Sequence, residues 1–300
     1  MNQAKVLNFF GLLLIMFGIS FAIPLFVAIF YGESLIRVFG LGMSVLVLVG
    51  FLSWFFTKDN KQELSLSDGF VITVLFWIVL SVSGSIPFIL FGFGIIDSFF
   101  ESMSGITTTG ATVIAGLDDL PKSLLIYRQL LQWLGGMGLI VLAIAVMPLL
   151  GIGGGQLFKT QTPGPMSEQR LTPRITSTAR ALWSIYFVLT VLCIFAYRLA
   201  GMSYFDAVSH AFSTVSIGGF STHDLSIGFF DSLSIEIVCI TFMLLSAMSF
   251  AVHYSAIYRK QVLKYFYDPE LRFFVSLLIV ILGLVSVSYT HLTLPTTTIV

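Results

Sequence analysis

The chain has 300 residues, of which 57% are hydrophobic and only 10% are charged, and its formal net charge is zero. Soluble domains are typically about a quarter charged, so this composition excludes an ordinary soluble protein and indicates an all-α polytopic membrane protein. The balanced charge gives no reason to expect nucleic-acid binding.

Seven apolar runs are long enough to cross a hydrocarbon core, which needs about 20 residues per helix. They cover residues 6–30, 35–56, 70–92, 124–150, 180–200, 232–257 and 273–288. The first run lacks a small-residue cleavage site, so we interpret it as a retained span rather than a signal peptide.

The connections between these runs alternate in charge. Those after the second, fourth and sixth runs are rich in lysine and arginine, whereas most others carry acids. By the positive-inside rule, the basic connections and the N-terminus are cytoplasmic. Four basic residues fall on the opposite side, namely Arg37, Lys122, Arg128 and Arg198. We expect Arg128 either to pair with a loop acid or to extend its charge to the membrane surface.

Two long external connections contain apolar stretches that are too short to span. In them, 97-DSFFESMSGI-106 and 206-DAVSHAFSTV-215 predict short helices that begin on the N-caps Asp97 and Asp206. Each predicted helix leads directly into small residues and glycine. Non-helical backbone at membrane depth is tolerated only where it is buried in protein or lines a water-filled cavity, so the pattern predicts two re-entrant pore loops.

A single offset of 109 residues relates the two connections without gaps. It superposes the helix starts, an ionisable position within each helix, and a following glycine: Asp97 on Asp206, Glu101 on His210 and Gly110 on Gly219. The flanking spans superpose as well, so the repeated unit is a span, a pore helix, a filter and a second span. Two roles are open for Glu101 and His210, a direct functional one or a buried hydrogen bond that supports the filter.

The residues after each predicted pore helix have the composition of an ion filter. Glycine permits backbone angles that other residues avoid, and rings of carbonyls can replace the hydration shell of a monovalent cation. We also expect unpaired carbonyls at the ends of the pore helices. The segments 106–113 and 215–221 contain no charged residue, which favours K⁺ over a divalent cation without excluding Na⁺. The alternative for residues 107–110 is a tight turn between helices. The predicted filter residues are Thr107, Thr108, Thr109, Gly110, Val215, Ser216, Ile217, Gly218 and Gly219, with K⁺ expected at Thr108, Thr109, Ile217 and Gly218.

Three acids in the external connections, Asp118, Asp119 and Asp224, have two interpretations of equal weight. Either they form an external vestibule that attracts cations, or they belong to simple solvated loops.

Four stretches resemble the Trk/Ktr/HKT superfamily of K⁺ transporters: ESMSGITTTGATV at 101–113, QWLGGMG at 132–138, GIGGGQLF at 151–158 and AFSTVSIGGFSTHD at 211–224. Two spans precede the first repeat, and this arrangement resembles the TrkH-type potassium uptake subunits of that superfamily. The resemblance covers about residues 1–285. It implies K⁺ uptake, by channel-like flux or cation symport, across the cytoplasmic (inner) membrane of a prokaryote, with K⁺ as the transported ion and no covalently bound cofactor. A Na⁺ or less selective cation transporter of the same fold is the alternative.

The resemblance further implies four span–pore–span repeats around one pore, a homodimer in contact with membrane lipid, and a cytoplasmic nucleotide-binding partner of the TrkA type. By position, Gly110 and Gly219 are the filter glycines of the first two repeats. Only two repeats and the start of a third are recognisable in this chain. The final stretch, 289-YTHLTLPTTTIV-300, leaves the apolar pattern, so we expect a truncated sequence with a non-native tail. The expected divisions are 1–66 (two N-terminal helices), 67–155 (first repeat), 156–179 (cytoplasmic loop), 180–260 (second repeat), 261–288 (start of a third repeat) and 289–300 (tail).

Other functional classes find less support in the residues. The four histidines have no metal-ligand spacing, and no paired catalytic arrangement marks an intramembrane protease. The GIGGG stretch lacks the strand and the Gly-Lys-Ser/Thr of a phosphate loop, so nucleotide binding by this chain is not expected. A carrier for organic solutes would show broken spans rather than pore helices, and a non-transporting scaffold would not need a polar glycine segment twice.

Overall fold

The structure, a computed structural model, describes residues 3–58, 66–146, 174–258, 260–261 and 263–292. Among these residues all regular secondary structure is helical, as predicted. The chain divides into two compact units, Met1–Ala247 and Met248–Val300. The glycine loop predicted at 151–158, most of the predicted cytoplasmic loop and residues 293–300 of the predicted tail lie outside the described residues.

The pore helices and spans of the first unit follow the order that the sequence predicts. Its described α-helices are α1 (Gln3–Ser20), α2 (Ala22–Tyr31), α3 (Ile36–Thr57), α4 (Leu66–Phe91), α5 (Ile95–Ile106), α6 (Lys122–Val146), α7 (Arg174–Leu199), α8 (Tyr204–Val215) and α9 (Leu233–Ala247). Two short 3₁₀ helices, Leu117–Asp119 and Ser226–Phe230, lie in the two long connections. The short helices α5 and α8 correspond to the two predicted pore helices.

Five helical segments among the described residues are long and apolar enough to cross a membrane. They are Gln3–Tyr31, Ile36–Thr57, Asp68–Phe91, Ala181–Leu199 and Pro269–Val287. Each coincides with one of the predicted spans. The largest difference is in the first span, which consists of α1 and α2 rather than one helix. Pro24 has no amide hydrogen, so it cannot donate to the Ser20 carbonyl as a helix would require. The helix is interrupted there, and the Phe21 amide bonds to the Gly18 carbonyl at 3.1 Å, three residues back rather than four.

An aromatic cluster packs the N-terminal helices against the first repeat. Phe21 of the α1–α2 junction contacts Phe39 of α3 and Tyr127 of α6 in edge-to-face geometry, with ring centroids 6.2 Å and 5.3 Å away. The Tyr127 hydroxyl donates a hydrogen bond to the Gly84 carbonyl of α4 at 2.8 Å. The Glu33 carboxylate accepts the Lys122 amide at 2.7 Å, which stabilises the start of α6. These contacts fix α6, the helix that reaches the site described below.

The predicted span at 232–257 is not one continuous helix, because α9 ends at Ala247 and α10 (Phe250–Tyr258) begins after a break. Serines at 246 and 249 favour the break, since serine competes with the helix for backbone hydrogen bonds. The Val252 amide bonds to the Ser249 carbonyl at 2.9 Å and starts the new helix.

The second unit contains α10, α11 (Lys264–Tyr267) and α12 (Pro269–Leu292) among its described residues. His253 of α10 forms a hydrogen bond with the Tyr265 hydroxyl of α11 at 2.7 Å. The helix α12 covers the predicted span at 273–288 and extends through Leu292, so the first four residues of the predicted tail are helical.

Candidate ion-filter site

The two pore helices are matched in length and position. Both α5 and α8 have 12 residues, and their first and last residues differ by the same 109 positions that relate the two connections in the sequence. A hydroxyl side chain follows each helix and donates back to it. Thr107 donates to the Met103 carbonyl at 2.7 Å, and Ser216 donates to the Phe212 carbonyl at 2.8 Å.

The backbone after each pore helix repeats the same unusual conformation. We call residues 107–112 the first filter segment and residues 216–221 the second. Thr108 and Ile217, at matching positions, have φ of 54° and 55°, and two positions further on Gly110 and Gly219 have φ of 77° and 86°. Positive φ is uncommon outside glycine, and it is costly for a β-branched residue such as Ile217. Its recurrence at equivalent positions indicates that the fold requires this conformation in both segments.

The end of each pore helix is closed by amides of its own filter segment. The Thr109 amide donates to the Ser104 carbonyl at 2.9 Å, and the Gly218 amide donates to the Ser213 carbonyl at 2.8 Å. The expectation of several unpaired carbonyls at these helix ends is therefore wrong for the carbonyls that these bonds occupy, because the left-handed residue turns the following amide back onto the helix. Val215 is the last residue of α8 and is buried, so it precedes the second filter segment.

The two filter segments touch each other. A Cβ atom added to Gly110 would overlap the backbone carbonyl oxygen of Gly218. The structure therefore brings the two predicted filter glycine regions together, although they lie more than a hundred residues apart in the sequence.

Glu101 of α5 is fully buried and holds the far end of the first filter segment. Its carboxylate accepts the Thr112 hydroxyl at 2.9 Å and the Val113 amide at 3.2 Å. It also forms an ion pair with Arg128 of α6 at 2.7 Å, and neither side chain is exposed. Both expectations for Arg128 are thus wrong: it neither pairs with a loop acid nor reaches the membrane surface, because the buried carboxylate of the pore helix provides its counter-charge.

His210 of α8 makes the matching contact in the second repeat. One ring nitrogen, Nε2, lies 2.9 Å from the Ser221 hydroxyl, and Ser221 is the counterpart of Thr112. The other nitrogen, Nδ1, lies 2.9 Å from the Asp206 carbonyl, which can only accept, so Nδ1 carries a proton. The Ser221 oxygen also accepts the His223 amide at 3.1 Å, which leaves its own hydrogen for Nε2 of a neutral His210. Glu101 and His210 therefore each hold the last residue of their own filter segment, Thr112 or Ser221, through a buried hydrogen bond.

The helix α6 of the first repeat also contacts the second filter segment. Arg128 donates to the Ser221 carbonyl at 2.9 Å, and its guanidinium lies over the Phe220 ring at 4.4 Å. The Gln132 side-chain oxygen accepts the Phe220 amide at 3.1 Å. Gln132 was not singled out from the sequence. The available signal was its position four residues after Arg128, which places both side chains on one face of α6.

The predicted N-caps are wrong by three residues. The residue before α5 is Gly94, and Asp97 lies within the first turn of the helix. The N-cap of α8 is Ser203, whose hydroxyl oxygen accepts the Asp206 amide at 3.1 Å and whose hydroxyl donates to the Asp206 carboxylate at 2.6 Å. Ser203 is thus a side-chain N-cap whose hydroxyl also bonds to the Asp206 carboxylate, and the spacing Ser-x-x-Asp in the sequence could have revealed it.

Two of the three acids in the long connections, Asp118 and Asp224, link these two connections to each other. The Asp224 carboxylate accepts the amides of Gly116 and Leu117, both at 3.0 Å. The Asp118 carboxylate forms a hydrogen bond with the His223 ring, which holds the pKa of Asp118 below its usual value. These contacts hold the residues after the first filter segment against those after the second. Asp119 lies exposed in the 3₁₀ helix that follows the first filter segment.

The described residues thus contain two span–pore helix–filter–span units whose filter segments meet, which is the K⁺ channel-like architecture of an all-α polytopic membrane protein. Comparison with known proteins agrees with it. The family model TrkH, described as "Cation transport protein", matches residues 35–300. The chain belongs to the TrkH family.

Relatives of known name and structure are similar over most of this chain. The Trk system potassium uptake protein TrkH of Halomonas elongata is 48% identical over 96% of this chain and 60% of its own length. The Trk system potassium uptake protein TrkH of Escherichia coli K12 is 45% identical over 92% of this chain and 58% of its own length. The crystal structure of the potassium transporter TrkH from Vibrio parahaemolyticus superposes with a TM-score of 0.81 at 46% identity, covering 93% of this chain and 57% of that one. The chain therefore spans about three-fifths of the length of these relatives.

Proposed function

We propose that this chain contributes to K⁺ uptake across the cytoplasmic membrane, through a pore whose selectivity filter includes both filter segments. The observation that carries the proposal is the repeated backbone pattern, in which left-handed residues at 108 and 110 recur at 217 and 219. Such a conformation turns successive peptide groups towards a shared axis more readily than an extended or helical one. The relatives named above are potassium uptake proteins, which supports K⁺ as the ion.

The proposed ion-binding residues are those predicted from the sequence. Thr107 to Gly110 and Val215 to Gly219 form the two filter regions, with K⁺ at Thr108, Thr109, Ile217 and Gly218. Carbonyl and hydroxyl oxygens without a nearby free carboxylate suit a weakly hydrated monovalent cation better than a divalent one. The Glu101 carboxylate, which contacts the end of the first segment, is already paired with Arg128.

The assembly around this site is part of the proposal. The N-terminus is cytoplasmic, the protein forms a homodimer surrounded by lipid, and a cytoplasmic nucleotide-binding subunit of the TrkA type regulates it. The words "Trk system" in the relatives' names fit a protein that works with other components. A pore of four repeats and the domain divisions given above belong to the same proposal. Sequencing the gene beyond the codon for Ser288 tests whether two further repeats follow.

The experiment is uptake of radioactive rubidium, a tracer for K⁺, by the complete gene in a bacterial host that lacks its own K⁺ uptake systems. Gly110→Ser and Gly219→Ser force a side chain into the left-handed filter backbone, and the first also meets the Gly218 carbonyl. Both should lower the preference for Rb⁺ over Na⁺. Gly32→Ser is the matched control, because Gly32 has φ of 67°, has open space for a Cβ atom and lies outside the filter. Parent-like selectivity in both filter variants would refute the filter assignment.

A further inference from the structure

The helix α6 presents two polar side chains to the filter from one face. Arg128 and Gln132 are four residues apart, one helical turn, and both are fully buried. Burying polar groups of this size costs free energy unless hydrogen-bond partners compensate their desolvation. Their partners show what the pair does.

Arg128 bridges the two repeats. Within its own repeat, its guanidinium donates to the Glu101 carboxylate at 2.8 Å and to the Thr112 hydroxyl at 3.1 Å. Across the repeat boundary, it donates to the Ser221 carbonyl at 2.9 Å. The planar guanidinium directs its donors at fixed angles, so these three bonds fix the position of Ser221 relative to Thr112.

Gln132 makes the second contact across the boundary. Its side-chain oxygen accepts the amide of Phe220, the residue between Gly219 and Ser221. Its amide group lies so close to Gly218 that a Cβ atom there would overlap it. Together the two side chains of α6 bond to the second filter segment on either side of the peptide unit that joins Phe220 to Ser221. Gln132 also packs against Gly218 in the middle of that segment.

The arrangement works in one direction only. The positions of α9 that match Arg128 and Gln132 through the offset of 109 are Ile237 and Thr241, and the Ile237 side chain is 54% exposed. Neither residue offers a cation or an amide. The described residues thus contain a polar link from α6 of the first repeat to the second filter segment. The helix α9 of the second repeat lacks Arg and Gln at the matching positions.

We infer that Arg128 and Gln132 are positioning residues that set the spacing between the first and second filter segments and thereby the preference for K⁺ over Na⁺. This inference rests on the proposed function. Selectivity among monovalent cations depends on where the coordinating oxygens are held, and side chains that fix one segment against the other control that distance. Neither residue is proposed to contact the ion.

The test compares Gln132→Met and Arg128→Lys with the parent in the complete gene, using the ratio of radioactive rubidium to sodium uptake. Methionine keeps the length of Gln132 but replaces its amide oxygen with a thioether sulfur, which is only a weak acceptor for the Phe220 amide. Lysine keeps the charge beside Glu101 but lacks the fork that reaches Ser221 as well. Each change should lower the Rb⁺/Na⁺ ratio about five-fold, the effect expected for one net hydrogen bond. Gln129→Met is the matched control, because Gln129 is a fully buried glutamine of the same helix whose amide has no partner among the described residues.

The outcomes separate this inference from the proposed function. A parent that fails to take up rubidium contradicts the proposed function itself. A selective parent with parent-like ratios in both Gln132→Met and Arg128→Lys overturns the inference and leaves the filter assignment standing. If both variants fail to reach the membrane while Gln129→Met reaches it, Arg128 and Gln132 serve folding alone, and the inference is again overturned. Immunoblots of the membrane fraction establish the protein level for each variant.

Discussion

The buried ion pair behind the first filter segment gives a quantitative prediction. Glu101 and Arg128 are both fully buried, and their ion pair is 2.7 Å long. Glu101→Gln preserves the shape of the side chain but leaves the guanidinium without its counter-charge, and the Thr112 and Val113 donors lose a charged acceptor. Removing one partner of a buried pair costs about 3–5 kcal/mol. At about 2–4 °C per kcal/mol for a large domain, such a loss lowers the midpoint of thermal unfolding by about 6–20 °C.

A double-mutant cycle shows whether the pair is the cause. Arg128→Met alone leaves Glu101 buried and unpaired, so it should be as damaging as Glu101→Gln. The double variant removes both charges and should cost about 2–3 kcal/mol less than the sum of the single variants. The measurement is the unfolding midpoint of the detergent-purified protein, followed by size-exclusion chromatography after heating. Glu236→Gln, the same change at an exposed position of α9, is the control. Additive single effects, or a Glu101→Gln midpoint equal to that of the control, would show that the buried ion pair does not stabilise the fold.

Three further predictions concern the two long connections and the second pore helix, α8. Asp224→Ala removes the acceptor for the amides at positions 116 and 117, so the midpoint should fall by an amount equivalent to about 1–3 kcal/mol, whereas a parent-like midpoint would show that the loops are held together by other contacts. Ser203→Ala removes the cap of α8 and should cost about 0.5–2 kcal/mol in the same assay, while Ser203→Thr, which keeps the hydroxyl, should not. The hydrogen bond from His223 depresses the pKa of Asp118 in the folded protein, so its stabilising effect exists above the unfolded pKa of 3.8 and is lost as the pH falls through the lower folded value. Asp118→Asn should therefore differ from the parent in unfolding midpoint at neutral pH and converge with it in strong acid; a difference that persists there would contradict the assignment.

The repeat was the part of the fold that could be predicted most closely. Glycine positions and short apolar stretches defined both pore helices, and α5 and α8 begin two residues before the predicted Asp97 and Asp206. For α8 the displacement arises because the capping hydroxyl is that of Ser203, three residues before Asp206, whereas α5 is preceded by Gly94, which offers no side-chain cap. Capping and turn signals depend on residues close together in the sequence, so errors in the predicted helix ends are limited to a few positions.

The contacts across the repeats could not be predicted in the same way. Charge counting placed Arg128 near the outer surface, because the positive-inside rule treats every basic residue as solvent-facing. Its partners Glu101 and Ser221 lie 27 and 93 positions away in the sequence. Gln132 opens the QWLGGMG stretch, but nothing in that stretch indicates its contact with Phe220, which arises because α6 packs against both pore helices. Which helices meet is decided by packing in three dimensions, and a periodic pattern in one sequence does not specify it.

The most direct test of the central claim, a K⁺-selective filter, is a competition experiment with the complete gene in a host without K⁺ uptake. Uptake of radioactive rubidium is measured while unlabelled K⁺ or Na⁺ is added at increasing concentration. We expect K⁺ to suppress rubidium uptake at concentrations where Na⁺ has no effect, because the filter oxygens match the larger, weakly hydrated cation. Equal suppression by Na⁺ and K⁺ would contradict a K⁺-selective filter and favour a less selective cation pathway of the same fold.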